Sequence, residues 1–161
     1  MILDRRTLLA GAAAIGFAGV FRMDSLWAAD RPSAPFKLTE AEWRKRLSPL
    51  AYNVMREAAT ERPYTSPLNK EHRKGTFTCA GCDLPLFDSR TKFDSHTGWP
   101  SFWKPLPQAI ATSTDMELGY QRVEVHCVRC AGHLGHVFND GPPPTRQRYC
   151  MNGVALKFVA A

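Results

Sequence analysis

The chain has 161 residues, 44% of them hydrophobic and 22% charged, and a formal net charge of +6. That suits one soluble globular domain and leaves too little chain for two of ordinary size. A charge-driven nucleic-acid tail is excluded, because Arg44-Lys45-Arg46, Arg73-Lys74, Arg146 and Arg148 are scattered among acids. No run approaches the five or six like charges such tails carry.

Asp4-Arg5-Arg6-Thr7-Leu8-Leu9 opens the chain, and the stretch from Leu8 to Phe21 is uncharged and rich in Ala, Gly and Leu. It is shorter than the ~20 apolar residues that a bilayer span needs. Paired arginines, a short apolar middle and the small residues Ala28 and Ala29 read as a twin-arginine-type signal over residues 1–29. The expected destination is the periplasm; the alternative is an uncleaved segment that anchors the protein to the membrane. Removal would take three arginines (5, 6 and 22) and two aspartates (4 and 24), so the mature domain stays basic.

Residues 30–37, with Pro32 and Pro35, read as a linker to a folded domain over residues 38–161. Thr39 with Glu42 three residues on forms a capping box that opens a helix through about Leu47. Ser48-Pro49 starts a second helix, with Leu50, Val54 and Met55 partly on one face. Arg62 to Lys74 carries Pro63 and Pro67 and ends helix formation. Short strands follow: Gly75-Thr76-Phe77-Thr78, Gln121 to Val125, and Leu156 to Val159. The expected class is mainly β, with a short helical N-terminal arm packed on an antiparallel core.

Four of five cysteines fall into two like pairs, Cys79-Ala80-Gly81-Cys82 and Cys127-Val128-Arg129-Cys130. Two intervening residues let both thiolates of a knuckle curl around one ion, and two knuckles supply four sulfurs. That is the tetrahedral set of a closed structural zinc site. The alternatives are two disulfides, which an oxidising compartment permits, and a thioredoxin-like redox motif, which neither pair supports by opening a helix. The expectation is one structural zinc held by Cys79, Cys82, Cys127 and Cys130.

Cys150 is left over. On an extended strand, Arg148, Cys150 and Asn152 share one face, so cation, thiol and amide would meet. A neighbouring guanidinium favours the thiolate and is expected to lower the thiol pKa from about 8.5. Local sequence leaves this reactive reading level with that of a buried structural cysteine.

Larger motifs break the tie. Lys92-Phe93-Asp94-Ser95, Gly98-Trp99-Pro100-Ser101-Phe102, His133-Leu134-Gly135-His136-Val137-Phe138 and Arg148-Tyr149-Cys150-Met151-Asn152 follow one another in that order. With the two knuckles, they resemble the B-type peptide-methionine (R)-S-oxide reductases from about Leu38 to Val159. The resemblance implies two antiparallel sheets, a four-cysteine zinc site away from the active site, selectivity for the R epimer, and Cys150 as nucleophile.

In such a reaction a thiolate attacks the sulfoxide sulfur while an acid protonates the departing oxygen. His133 and His136 can converge on that oxygen; the alternative, metal ligation, is disfavoured because four cysteines already complete a zinc shell. Asp140 would orient a histidine, Arg148 and Asn152 would hold thiolate and bound water, and Trp99, with Phe138, would wall the substrate. His72, His96 and His126 receive no role.

Two positions depart from the family pattern. Thr97 stands where many members carry a resolving cysteine, and Gly153 stands where many carry Ser, which puts one local hydrogen bond in doubt. With no spare thiol, the expected partners are oxidised protein substrates and an external reductant, thioredoxin-like or a low-molecular-weight thiol, acting on a monomer. Competing classes are a zinc-ribbon nucleic-acid module, disfavoured by the signal and the scattered charge, and a thiol–disulfide oxidoreductase, which needs an unmetallated cysteine pair.

Overall fold

The computed structural model describes residues 36–116 and 119–161. The signal reading for residues 1–29, and all but the last two positions of the linker, lie outside the described residues. Among the described residues no helix is long and apolar enough to cross a membrane.

The arm forms as its caps dictate. Helix α1 (Glu40–Arg46) starts from Thr39, whose hydroxyl accepts from the Glu42 amide while Glu42 reaches back to the Thr39 amide. Helix α2 (Pro49–Glu57) starts from Ser48 with proline in its first turn and ends on Ala58 in the left-handed region. Its buried face differs from expectation: Leu50 is exposed, and Ala51 and Tyr52 join Val54 and Met55 in the core. The helix packs against the strand His133–Phe138 and a turn near the C-terminus, so its inner face runs through 51, 52, 54 and 55.

Among the described residues nine strands follow in two antiparallel sheets, as the resemblance implies. Strands β1 (Gly75–Cys79), β2 (Pro85–Asp88) and β9 (Leu156–Ala160) form a three-stranded sheet in the order β2-β1-β9. Strands β3 (Lys92–Phe93), β4 (Ser101–Phe102), β5 (Ile110–Asp115), β6 (Arg122–Cys127), β7 (His133–Phe138) and β8 (Arg148–Met151) form the other, in the order β3-β4-β8-β7-β6-β5. The sheets meet over aromatic rings. Phe102 of β4 stacks on Phe87 of β2 at 4.3 Å and meets Phe77 of β1 edge-on at 4.9 Å, all three fully buried. Burying one such ring contributes about 1.5–3 kcal/mol.

Between arm and sheets lies a buried carboxylate, Glu61, which nothing in the sequence singled out. Its backbone amide donates to Asn152 Oδ1 at 2.9 Å, and its backbone oxygen accepts from Trp99 Nε1 at 3.1 Å. Its side chain accepts from the backbone amides of Gly153 and Val154. Burial pushes its carboxyl above the usual range, against those amides, which pull it down. One residue thus ties the Trp99 loop to the segment that follows β8.

Gly153 sits in this contact for a steric reason. A Cβ there would lie 1.8 Å from Ser66 Oγ, so the Ser66 side chain fills the space a larger residue would take. Gly153→Ala should destabilise the fold by about 1–3 kcal/mol through overpacking. Adding Ser66→Gly should recover part of that loss; urea unfolding of both singles and the double measures the coupling. Strictly additive losses would contradict the steric account.

Candidate active site

The site is built on β8. Its neighbours are β4 on one side and β7 on the other, and Cys150 lies opposite Ser101 of β4 and His136 of β7. Two histidines three apart on a regular strand would point to opposite faces. Here β7 carries a bulge against β6: Gly135 pairs with Val125 and His133 with His126, so Leu134 is the extra residue. The bulge returns both imidazoles to one neighbourhood, with ring centres 5.4 Å apart. Gly135 lets β7 approach β8, since a Cβ there would lie 2.1 Å from the Cys150 backbone oxygen. Cys150, His136, Trp99, Phe138, Asn152 and Arg122 line a cavity of about 120 Å³.

The local charges differ from the sequence reading in two respects. Burial pushes the Cys150 thiol above its ordinary pKa, and it outweighs the Thr97 hydroxyl, 3.8 Å away, and the Arg148 guanidinium, which both favour the thiolate. The expected lowering by Arg148 is present but loses to desolvation. Asp140 is the second correction. It orients no histidine but grips Arg148 in a two-pronged ion pair, Nε–Oδ1 2.8 Å and Nη2–Oδ2 2.9 Å. Arg148 also covers the Phe138 ring at 4.4 Å, so one fork sets cation and aromatic ring together.

The carboxylates on the histidines come from β5 and β6. Glu124 Oε1 lies 2.6 Å from His133 Nδ1, and Asp115 Oδ2 lies 2.7 Å from His136 Nε2. The sequence reading missed both. The alternation Arg122, Glu124, His126 puts three polar side chains on one face of β6, but nothing local says which strand that face meets, and Asp115 on β5 carries no such mark. His133 is buried, and burial lowers its pKa despite Glu124, so it stays neutral near pH 7. Asn152 is buried too. Its oxygen serves Glu61 and its amide donates to the Leu134 backbone oxygen at 3.2 Å, which leaves one N–H for the cavity. Of the histidines given no role, His126 stands 3.6 Å from Glu124, whereas His72 and His96 line a separate cavity behind Trp99.

The four remaining cysteines meet elsewhere. Cys79 and Cys127 end β1 and β6, and the two knuckles turn alike: Asp83 and Ala131 both adopt positive φ, 62° and 54°. Their amides donate to Cys79 and Cys127 backbone oxygens at 2.9 Å each. All four sulfurs are buried and lie within 4.8 Å of one another. The pairs Cys79–Cys130 and Cys82–Cys127 stand at 3.6 and 3.5 Å, too far for disulfides and near the ~3.8 Å edge of a tetrahedron with 2.3 Å metal–sulfur bonds. Contact with Cys130 draws the Cys127 thiol strongly down, and contact with Cys127 pushes Cys79 strongly up. Four crowded sulfurs that cannot all ionise alone form a donor set for a thiophilic cation. The arm closes over it: Arg46 donates to the Gly81 backbone oxygen and Arg56 to that of Cys130.

Comparison with known proteins agrees with this layout. The family model described as SelR domain matches residues 47–160. "Peptide methionine sulfoxide reductase MsrB" of Agrobacterium fabrum is 48% identical over 130 residues, 80% of this chain and 96% of that protein. The protein of the same name from Pseudomonas putida is 54% identical over 121 residues, 74% of this chain and 91% of its own. "Peptide methionine sulfoxide reductase B1, chloroplastic" of Arabidopsis thaliana is 48% identical over 124 residues, 76% of this chain and 61% of its own. With a domain match spanning both knuckles, the histidine strand and Cys150, the chain belongs to the SelR-domain family of B-type methionine sulfoxide reductases.

Proposed function

We propose that this protein reduces R-epimer methionine sulfoxide, mainly in oxidised proteins, through a sulfenic acid on Cys150 that an external thiol regenerates. The observation that carries this reading is the single cavity holding the Cys150 thiol, His136 and the aromatic walls Trp99 and Phe138.

The chemistry follows from what each group can do. A sulfoxide carries an apolar methyl group and a strongly accepting oxygen. Trp99 and Phe138 suit the methyl; Arg148, the free N–H of Asn152 and His136 suit the oxygen. The Cys150 thiolate attacks the sulfoxide sulfur as His136 protonates the oxygen. The oxygen then passes to the cysteine sulfur. Methionine sulfur gains two electrons and Cys150 loses two, leaving methionine and a cysteine sulfenic acid. His136 is the better donor because it faces Cys150 across the ladder, whereas buried His133 is held neutral. Its Nδ1–H donates to Glu124, and Nε2 is left as an acceptor without a protein partner among the described residues.

Recycling is set by Thr97. Its hydroxyl lies 3.8 Å from the Cys150 sulfur, the place where a helper thiol would form a disulfide. The other four cysteines are gathered in their own buried cluster, and none of them lines this cavity. The sulfenic acid is therefore reduced directly by a thioredoxin-like protein or a low-molecular-weight thiol. The cluster itself suits one structural zinc, which when bound would tie β1 to β6 and so join the two sheets. Residues 1–29 support export by the twin-arginine route, and the protein acts as a monomer in the periplasm.

One turnover without reductant, followed by mass spectrometry under non-denaturing quench, should show oxygen added at Cys150 alone, with the knuckle cysteines unmodified and zinc retained. A disulfide from Cys150 to a knuckle cysteine would contradict the recycling scheme. The raised thiol pKa has its own consequence. Alkylation of resting Cys150 by iodoacetamide should climb with pH and level off only above the ordinary thiol value of about 8.5. Arg148→Met should move that midpoint further up, since it removes a cation that favours the thiolate. A plateau already reached at neutral pH would show that burial does not dominate.

A further inference from the structure

The last rung of the β5–β6 ladder pairs Asp115 with Arg122, and their side chains form an ion pair at 2.5 Å. The same carboxylate oxygen that meets Arg122 Nη2 also meets His136 Nε2. All three side chains are withdrawn from water, at 13%, 13% and 12% exposure. Arg122 lines the Cys150 cavity, and its buried Nε has no hydrogen-bond partner. Six backbone pairings already align β5 with β6, so strand pairing does not require this cluster. Surface ion pairs contribute little, and pairs taken out of water carry a desolvation cost that stability alone seldom justifies. A low-exposure carboxylate shared between a guanidinium and a cavity-lining imidazole suits work on that imidazole.

We propose that Asp115 and Arg122 are positioning residues for proton delivery to the sulfoxide oxygen, with Asp115 fixing His136 through Nε2 and Arg122 fixing Asp115. This rests on His136 being the proton donor. Binding Nε2 leaves Nδ1 as the ring nitrogen available to the cavity, and the carboxylate supplies the counter-charge to the imidazolium from which the proton leaves. Arg122 neutralises the excess negative charge that Asp115 and Glu124 would otherwise present, and it keeps Asp115 from rotating away. A Ser-His-Asp arrangement uses its carboxylate in the same way, to orient an imidazole without itself taking the proton.

The test compares Asp115→Asn, Asp115→Glu, Arg122→Met and His136→Asn in single-turnover methionine formation from an R-sulfoxide peptide, with iodoacetamide alkylation of Cys150 measured in parallel. Alkylation needs no proton donor. Asp115→Asn should slow methionine formation about 10- to 100-fold, part of what a general acid contributes. Peptide KM and the alkylation rate should stay within about threefold. Arg122→Met should lose less, Asp115→Glu should recover part of the rate, and Asp115→Asn should cost nothing more in the His136→Asn background. Unchanged methionine formation in Asp115→Asn, or an equal fall in alkylation, would overturn the proposal. A His136→Asn protein with native turnover would instead remove the reading of His136 on which it rests.

Discussion

Cys150 stands between Ser101 and His136 on a continuous antiparallel ladder, and this register is the constraint on which the chemistry depends. A shift of one residue would turn Tyr149 into the cavity and send the thiol to the opposite face. Two local features adapt the ladder to its task. The bulge at Leu134 gathers His133 and His136, and Gly135 lets β7 close on the Cys150 backbone. Cys150, His136, Phe138 and Trp99 therefore come from strands and from a loop pinned to them, which holds them to tighter positions than mobile loops would.

That register holds because the strands are anchored beyond the sheet. The cysteine cluster joins the ends of β1 and β6, so a bound cation would cross-link the two sheets at one end of the core. Helices α1 and α2 cover it, with Trp43 and Met55 against the knuckle glycine Gly81, where a Cβ would meet them at 3.1 and 3.2 Å. At the other end, Glu61 holds Trp99 through its backbone oxygen and Asn152 through its amide. The four-cysteine cluster and the Cys150 cavity are thus separate sites in one frame. The separation matters chemically, because oxidation at Cys150 need not cost the fold its cross-link.

Much of this frame was legible in the sequence, and for identifiable reasons. The capping box at Thr39, the proline start at Pro49 and the paired knuckles rest on local chemistry that does not depend on distant contacts. The grouping of Arg148, Cys150 and Asn152 needed only strand periodicity. What stayed hidden was long-range. Asp115 and Glu124 reach the histidines only because β5, β6 and β7 are neighbours, and no spacing along the chain announces that. Asp140 was misassigned for the same reason: proximity to the histidine motif suggested an imidazole partner, but the chain between β7 and β8 delivers it to Arg148. The Cys150 pKa was misjudged because a nearby cation can be read from sequence whereas burial cannot. Leu50 shows the smaller form of this problem, since the helix period was right and the buried face was set by what packed against it.

One thiol, Cys150, is proposed to perform the stereoselective oxygen removal. Turnover of R- and S-sulfoxide peptides by the native protein and by Cys150→Ser, with dithiothreitol as reductant, tests it most directly. The native protein should convert the R peptide and leave the S peptide largely untouched, and Cys150→Ser should convert neither while keeping its metal and its folded stability. Equal activity of the two proteins on the R peptide would contradict the account.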